Sequence, residues 1–511
     1  MVFPTRWPFP TSQPFSFQSC KLFSGLPFQL LWPLFDFSNR LRQLVCGERL
    51  PQRKRGLKRG DMDELSKLGI LRKLTRSQKE VVLRVVAAED YLLVRGYPGT
   101  GKSTTISVLI HCLLALGKTI LLAAYTNTAV DSILEKLVQK QSHQCEILRL
   151  GPLDRIKDSL HGYAERGKLR FMKSLQDVTD LYEKPKVVAG TCHALFNHPI
   201  FSRRKFDVCI VDEASQTLLP VSLGPLFCAD RFVLVGDPNQ LSPLIVNAEK
   251  EAENTQLSLL ELLLEHCEKA GVGKNAVCDL TQQFRMNEEI LRIPNAMFYD
   301  NKLECSEDQK DETIKVPTSK MSKLNNPKVS PLFSSSLPDS FIFADLSNVS
   351  MGDQYAISKT SNQLESSLIV AICRYFVEIL LLPEQDIGVI SPFSDQVRQI
   401  TFSLQNCGLS RIEVNTIDQY QGKEKNVILL SLVKCGTSSA SEERLKGILT
   451  NAKRLNVALT RAKLKLIAVG ALNFLRNAYE PFSNLFSLLK NNQILQLDNN
   501  DFTSLVNFSN Y

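Results

Sequence analysis

The stretch YLLVRGYPGTGKSTTISVLIHCLLALG occupies residues 91–117. It begins with a short apolar run typical of a buried strand, and it ends with a segment of helical periodicity that stops at Gly117. Between them, residues 96–103 match the pattern G-x-x-x-x-G-K-[ST]. A strand, a glycine-rich turn and a helix in this order are the context that a phosphate-binding loop requires. The sequence therefore predicts a nucleotide-binding loop.

The residue types in this loop each suit phosphate chemistry. Glycines let several backbone N–H groups turn toward phosphate oxygens, while Lys102 adds a positive charge and the Ser103 hydroxyl can bind Mg²⁺. The motif alone does not show how the phosphate energy is used, because many unrelated proteins share it. The residues expected to hold the nucleotide are Gly96, Tyr97, Pro98, Gly99, Thr100, Gly101, Lys102, Ser103 and Thr104.

Composition narrows the class of protein. A chain of 511 residues that is 44% hydrophobic and 22% charged is an ordinary globular protein, with room for about three domains at ~150 residues each. The net charge of +8 permits a polyanionic partner without requiring one. The thirteen cysteines include no C-x-x-C pair, which predicts buried thiols and not a zinc or iron–sulfur site. No apolar run approaches the ~20 residues of a membrane span, so no membrane association is expected.

The first 61 residues differ from the rest. Residues 1–35 contain no acidic side chain, and a basic stretch follows between residues 40 and 59. We expect this segment to be disordered or aberrant. An organelle-targeting peptide and a nuclear-import signal are the alternatives.

Beyond residue 62, short apolar runs alternate with helical stretches. This alternation predicts parallel sheets flanked by helices. The polar segment 306–340, with four prolines, interrupts the pattern, which then resumes. We therefore expect two α/β domains at 62–300 and 341–480, joined by an irregular crossing at 301–340 and followed by a peripheral tail at 481–511. One large doubly wound domain with an insertion is the alternative.

A pair of carboxylates ends one predicted strand, in VDEASQ (211–216). Asp212 is suited to hold Mg²⁺ through water, and Glu213 to orient and deprotonate an attacking water. An acidic pair at a strand end is also an ordinary way for charges to reach solvent. The motif gains its functional meaning from the phosphate loop on a neighbouring predicted strand.

Three other polar side chains fit the same site. Gln240, in GDPNQL, follows the next strand and is suited to sense a γ-phosphate, although Asp-Pro-Asn alone is ordinary turn chemistry. Arg285, in QQFRM, and Arg461, in NVALTRAK, carry forks that match two phosphate oxygens at once. Either arginine alone would be interpreted as a surface or salt-bridging residue. Because Arg461 lies in the second predicted domain, a complete site requires the two domains to close together, as in a motor.

Seven motifs, in order, resemble the helicase motifs of superfamily 1: GYPGTGKS, YTNTAVD, VDEASQ, GDPNQL, QQFRM, NTIDQYQGKEKNVILLS and RLNVALTRAK. A narrower resemblance, over roughly residues 70–475, is to the helicase part of the eukaryotic DNA replication helicase/nucleases, within superfamily 1B, which process flaps and resected ends. It is carried by NHPIFSRRKFDVCIVDEASQ, LGPLF, RFVLVGD, NKLEC, IEVNTIDQYQGKEK and RLNVALTRAK.

The resemblance implies two tandem RecA-like domains and an ATP-dependent, Mg²⁺-requiring movement 5′ to 3′ on single-stranded DNA. The residues it makes catalytic are Lys102, Glu213, Gln240, Arg285 and Arg461, and it gives the metal to Ser103 and Asp212. It implies that Gln78 reads adenine, that Phe284, where a Tyr is usual, stacks near adenine, and that Glu424 approaches the ribose. The residues expected to contact the nucleic-acid strand are Thr126, Asn127, Ser391, Pro392, Phe393 and Thr416.

The resemblance also implies a monomer that works with replication and repair proteins such as a single-strand-binding protein, in the nucleus and also in mitochondria. Relatives carry a RecB-like nuclease ahead of the helicase, whereas only about sixty residues precede the Gln78 region here. We therefore expect no intrinsic nuclease activity from this chain. Two alternatives stay open: an RNA helicase of the surveillance type, and a DNA-binding scaffold whose motor is crippled.

Overall fold

The computed structural model describes residues 39–52, 56–139, 146–196, 198–202, 204–243, 258–316, 326–350, 352, 355–433 and 449–507. Within these ranges the chain forms two large parallel sheets, and each is covered by apolar clusters on both faces. Parallel strands buried on both faces are the physical reason that the sequence runs there are continuously apolar. The predicted α/β fold with two tandem sheet domains is confirmed.

The first sheet has seven strands in the order β3-β4-β2-β5-β6-β1-β7. The carboxyl ends of β5, β6 and β1 are neighbours, so the segments that follow them meet at one edge of the sheet. Those segments are the phosphate loop, VDEASQ and GDPNQL. The strands are β1 Tyr91–Gly96, β2 Ile120–Ala124, β3 Ile147–Arg149, β4 Val187–Thr191, β5 Phe206–Asp212, β6 Ala229–Gly236 and β7 Val277–Leu280.

The second sheet has six strands in the order β12-β11-β13-β14-β10-β15, and a two-stranded sheet joins β8 and β9 near the crossing between the domains. The strands are β8 Gln282–Gln283, β9 Glu304–Cys305, β10 Phe341–Asp345, β11 Ile387–Ser391, β12 Glu413–Thr416, β13 Lys425–Ser431, β14 Ala462–Gly470 and β15 Ile494–Gln496.

Helices cover both sheets, and among the described residues none is long and apolar enough to cross a membrane. The α-helices are Asn39–Val45, Arg59–Lys67, Arg76–Ala87, Lys102–Ala115, Asn127–Gln139, Glu165–Leu169, Leu175–Glu183, Cys192–Phe196, Leu219–Leu226, Leu259–Lys269, Gly273–Ala276, Glu288–Phe298, Glu307–Lys310, Gln363–Arg374, Ser394–Asn406, Ile417–Tyr420, Ala452–Leu459, Leu472–Ala478, Glu480–Leu488 and Asn499–Val506.

Part of the N-terminal segment folds onto the first domain. The helix Asn39–Val45 places Leu41, Leu44 and Val45 in the core at the spacing of one helix face. Arg40 donates from Nε to Asp90 Oδ1 over 2.8 Å. Residues 39–52 are therefore part of the packed structure, while the expectation for residues 1–38 falls outside the described residues.

In two places the packing assigns a segment to a different domain from the one expected from the sequence. Strand β15 pairs with β10, so the second sheet extends into the segment taken as a peripheral tail. The helix Glu288–Phe298 contributes Ile290, Leu291 and Ile293 to the apolar cluster that also contains residues of the second sheet. Apolar side chains on these short elements find a matching face only on the second sheet, which periodicity along the chain does not reveal.

Candidate active site between the two domains

The phosphate loop has the geometry that its glycines predict. Gly99 and Gly101 have φ angles of 72° and 75°, a conformation that other residues adopt at a cost. A Cβ on Gly99 would lie 2.7 Å from the Cβ of Arg285, and one on Gly101 would lie 2.8 Å from Nε2 of Gln78. Both positions therefore need glycine for space as well as for backbone conformation.

Lys102 begins the helix after the loop and turns back over it. Its ammonium group donates to the carbonyl oxygens of Gly96 at 2.7 Å and Tyr97 at 3.3 Å. Burial lowers the pKa of Lys102, while the carboxylates of Asp237 and Asp212 act in the opposite direction. The amine is thus a desolvated cation held at the loop, where phosphate oxygens would give it a better partner.

The predicted carboxylates lie at the end of β5, next to this amine. Asp212 is 3% exposed, and its Oδ1 accepts a hydrogen bond from the backbone N–H of Glu213 over 2.9 Å. Glu213 has a φ of 53°, so the chain turns sharply where the strand ends. Burial, and then the neighbouring Asp212, raise the pKa of Glu213 to about 7. Such a carboxylate is a stronger base than an exposed one.

The two residues assigned to adenine flank the loop. Gln78 is buried, donates from Nε2 to the carbonyl of Thr100 over 3.1 Å, and closes a capping box with Thr75. Phe284 is 45% exposed, and its backbone N–H donates to the carbonyl of Gly99 over 2.9 Å. The geometry places both beside the loop, and it holds the amide of Gln78 toward the protein backbone.

Arg285 lies at the crossing between the domains and pairs with the second one. Its Nε donates to Glu424 Oε2 over 2.6 Å and its Nη1 to the carbonyl of Thr460 over 3.0 Å. Lys463 pairs with the other oxygen of Glu424 over 2.8 Å. Although burial acts in the opposite direction, Arg285 and Lys463 hold the pKa of Glu424 at about 2. Glu424 therefore pairs with two cations, Arg285 and Lys463, in addition to any contact with a ribose.

Arg461 is 2% exposed and bonds only to neutral groups within hydrogen-bond distance. It donates to the carbonyl of Val457 at 3.0 Å and to the hydroxyl of Thr460 at 2.8 Å. No carboxylate of the described residues lies within ion-pair distance of it. Burial, and then the neighbouring Arg285, lower the pKa of Arg461 to about 9. The half-buried Arg285 and the buried Arg461 thus lie near each other, an arrangement suited to bind an anion.

Asp237 and Gln240 follow strand β6 and lie at the same edge of the first sheet as the phosphate loop. Gln240 Nε2 donates to Asp237 Oδ2 over 2.9 Å, and its Oε1 is 3.4 Å from Nε2 of Gln421 in the second domain. The electrostatic environment of Lys102 includes Asp237, Asp212, Arg285 and Arg461. The structure therefore brings the predicted catalytic side chains of both domains to one cleft.

The site also fits the cofactors that the motifs imply. A hydroxyl oxygen of Ser103 and a carboxylate of Asp212 are the hard oxygen ligands that Mg²⁺ prefers. Glycines 99 and 101 have left-handed backbone conformations, and the side chains of Lys102, Arg285 and Arg461 lie near the same loop, of which Arg461 is buried and the other two are half-buried. These groups suit a nucleoside triphosphate with its metal.

The residues assigned to the nucleic-acid strand have different surroundings. Thr126 donates from its hydroxyl to Glu213 Oε2 over 3.2 Å, and Asn127 Oδ1 accepts from the buried Arg149 over 2.9 Å. Thr416, half-buried, precedes the helix Ile417–Tyr420. The segment 391–393 is buried, so in this conformation Ser391, Pro392 and Phe393 present almost no side-chain surface.

A buried polar network lies beside that segment. Glu365 is fully buried, and its Oε2 accepts from the hydroxyl of Ser431 at 2.7 Å and from the backbone N–H of Val433 at 2.8 Å. Ser431 accepts in turn from Nε2 of Gln396 over 2.9 Å. Gln396 belongs to the helix that follows residues 391–393. The network therefore joins the end of β13 to the loop after β11.

The Glu365 carboxyl predicts a pH-dependent stability. Burial raises its pKa to about 7, above the ordinary value of ~4.3, so the folded state binds the extra proton between these pH values. Its contribution to stability is full below pH ~4.3 and is lost as the pH rises through about 7. Between pH 5 and pH 7.5 the wild type should therefore lose about 2 kcal/mol of unfolding free energy relative to Glu365→Gln. Denaturant unfolding at both pH values measures this difference.

The exposed Glu80→Gln is the matched control, since its side chain is 57% exposed. It should follow the wild type at both pH values. Parallel stability curves for Glu365→Gln and the wild type would contradict the prediction.

Three residues that make contacts between the two domains were not singled out from the sequence: Tyr299, Gln421 and Asn456. Gln421 and Asn456 lie inside motifs that the sequence does single out, YQGKEK and NVALTRAK. Tyr299 lies two residues before NKLEC. The motifs therefore indicated the region of the chain in which these residues lie. Their individual contacts could not be predicted, because they depend on how the two domains pack.

Comparison with known proteins identifies the family. AAA-domain family models match residues 73–177 with 166–248, and residues 255–473. The DNA replication ATP-dependent helicase/nuclease DNA2 of Mus musculus is 39% identical over 485 residues, 92% of this chain and 44% of that protein. The Homo sapiens protein of the same name is 38% identical over 438 residues, 83% of this chain and 39% of that protein.

An arterivirus helicase solved with DNA aligns with 82% of this chain and 67% of its own, at 15% identity and a TM-score of 0.39, too low to support an argument about function. The curated relatives carry the assignment: over most of its length this chain is similar to two fifths of each. By these matches the chain belongs to the family of DNA replication ATP-dependent helicase/nucleases, and it spans less than half the length of the relatives that it matches.

Proposed function

We propose that this chain is an ATP-dependent DNA helicase that moves 5′ to 3′ on single-stranded DNA in replication or repair. One observation carries the proposal: Arg461, from the second domain, is buried beside Arg285 without a carboxylate partner among the described residues, near Lys102 at the end of the phosphate loop. A site completed by two domains couples nucleotide turnover to their separation.

The proposed roles follow from the geometry. Lys102 and the loop amides hold the phosphates, while Ser103 and Asp212 hold Mg²⁺, which neutralises developing charge when bound. Glu213 orients and accepts a proton from water, because its buried carboxylate is basic. Gln240 senses the γ-phosphate and the two arginines stabilise the transition state. Gln78, Phe284 and Glu424 bind the adenosine side.

The strand is proposed to lie across the carboxyl edges of both sheets. Thr126 supports this path because it bonds to Glu213, so a contact with the strand would reach the catalytic base directly. Asn127 and Thr416 extend the path, and residues 391–393 would contribute backbone groups, since their side chains are buried. Such contacts go to phosphates and give salt-dependent binding without base specificity. Nuclear location and replication partners are proposed with this function.

The function is tested by measuring the ATPase rate of the full chain alone, with poly-dT and with poly-U. We expect poly-dT to raise the rate by at least about tenfold, because ordering the strand closes the cleft and assembles the site. Preferential stimulation by poly-U would identify an RNA helicase instead. Strand binding with negligible turnover would identify a scaffold and contradict the proposal.

A further inference from the structure

Tyr299 joins the two domains at the γ-phosphate side of the cleft. It follows the helix Glu288–Phe298 and is 1% exposed. Its hydroxyl donates to Asp237 Oδ2 over 2.8 Å and accepts from Nδ2 of Asn456 over 2.7 Å. A hydroxyl has one proton, so these two bonds fix its orientation.

Each end of this link is attached to a residue of the site. On the first domain, the same Asp237 oxygen accepts from Gln240 Nε2 over 2.9 Å. On the second domain, Asn456 belongs to the helix Ala452–Leu459, which leads directly into Arg461. The order Gln240, Asp237, Tyr299, Asn456 is thus a continuous path of hydrogen bonds between the two halves of the site.

The path is buried and directional. Asn456 is 0% exposed, and its Nδ2 also donates to the carbonyl of Asn239 over 2.8 Å, so both amide protons face the first domain. Among the described residues its Oδ1 has no hydrogen-bond partner, and leaving a buried carbonyl oxygen unpaired costs free energy. Burial, and then Asp237, raise the pKa of Tyr299 well above 10, so the phenol stays protonated and remains a donor.

We propose that Tyr299 is a positioning residue that transmits the state of the γ-phosphate from Gln240 and Asp237 to the helix Ala452–Leu459, which leads into Arg461. The inference rests on the proposed function and deepens it. When Gln240 moves toward a phosphate, Asp237 loses or shifts one of its two side-chain donors, and the bond to Tyr299 changes with it. The second domain receives that change through Asn456. Coupling between buried partners of this kind commonly amounts to about 5- to 150-fold in an equilibrium.

The test is Tyr299→Phe, which removes the hydroxyl and keeps the ring against Tyr97, whose centroid is 4.9 Å away. We expect kcat of strand-stimulated ATP hydrolysis to fall about tenfold while KM for ATP changes less than twofold, because the loop is intact. Tyr91→Phe is the matched control. Tyr91 is 2% exposed in the core of the first domain, and its hydroxyl contacts Cys267 Sγ at 3.4 Å.

A second readout does not need turnover. The affinity for a fluorescent dT oligonucleotide is measured with and without a non-hydrolysable ATP analogue. The wild type and Tyr91→Phe should show a nucleotide-dependent change of at least about fivefold, and Tyr299→Phe should lose most of it. Asn456→Ala should also lose most of the nucleotide-dependent change in affinity. The variant that combines Tyr299→Phe with Asn456→Ala should lose no more than either single variant.

The outcomes separate the two proposals. A wild type that lacks both strand-stimulated turnover and nucleotide-dependent binding contradicts the proposed function, and the relay with it. A normal wild type with an unaffected Tyr299→Phe overturns the relay alone. Equal losses in Tyr299→Phe and Tyr91→Phe, or additive losses in the double variant, assign Tyr299 a packing role and also overturn the relay.

Discussion

Lys102→Ala should lower the rate of ATP hydrolysis at least about a hundredfold, with or without single-stranded DNA, because it removes the cation nearest the phosphate loop. The structure places the ammonium group within 2.7 Å of the Gly96 carbonyl, inside the loop that phosphates would occupy. Lys102 is the only lysine or arginine of the helix Lys102–Ala115, so no other such cation of that helix can replace it. A steady-state assay with and without poly-dT measures the loss.

The same substitution should leave the fold intact. Burial lowers the pKa of Lys102, so the charged amine costs free energy in the absence of nucleotide, and its removal is not expected to lower the unfolding temperature. Lys269→Ala is the control for loss of one positive charge, since this lysine is 73% exposed and pairs only with Glu265. A Lys102→Ala protein that hydrolyses ATP normally, or that fails to fold, would contradict this account.

Local sequence pattern predicted which motifs meet at one edge of the first sheet. Phosphate loop, VDEASQ and GDPNQL each follow an apolar strand, and parallel strands bring their carboxyl ends to one edge. Strand order alone therefore places Lys102, Asp212 and Gln240 together. Their catalytic roles remain proposals, but their proximity follows from rules that act within a few residues of each motif.

Contacts between the domains could not be predicted in this way. Tyr299 and Asn456 are 157 positions apart, and Asn456 and Asn239 are 217 apart. No periodicity relates such positions, because the contact depends on how two completed sheets pack. Residues 391–393 are a second case. This motif was expected to meet the strand, but it is buried beside a polar network whose members Glu365 and Ser431 lie on other elements.

The second sheet shows how short elements escape pattern analysis. Strand β15 has three residues, too few for alternation to be visible, and it lies in an Asn-rich stretch that is typical of a tail. Its pairing with β10 stabilises it as an edge strand. Sequence ranges for the domains therefore remain approximate where an element depends on its neighbours for stability.

Arg461→Ala should lower kcat for ATP hydrolysis about a thousandfold while nucleotide binding changes little, since arginines that stabilise a transferring phosphoryl group have effects of this size. The phosphate loop belongs to the first domain and does not depend on Arg461. Arg461→Lys should remain at least about a hundredfold slow, because an ammonium group keeps the charge but lacks the fork that matches two oxygens. Turnover assays and titration with a fluorescent nucleotide separate the two effects.

Arg454→Ala is the matched control on the helix Ala452–Leu459, which precedes Arg461, because Arg454 pairs with a carboxylate, the exposed Asp418, over 3.0 Å. It should retain activity near that of the wild type. Arg461, by contrast, is buried beside Arg285 and bonds to neutral groups, so an alanine there removes a desolvation cost and should not lower stability. We propose that this buried cation binds an anion held at the phosphate loop of the first domain. Weak nucleotide binding by Arg461→Ala, or full activity of Arg461→Lys, would contradict the proposal that Arg461 stabilises the transferring phosphoryl group.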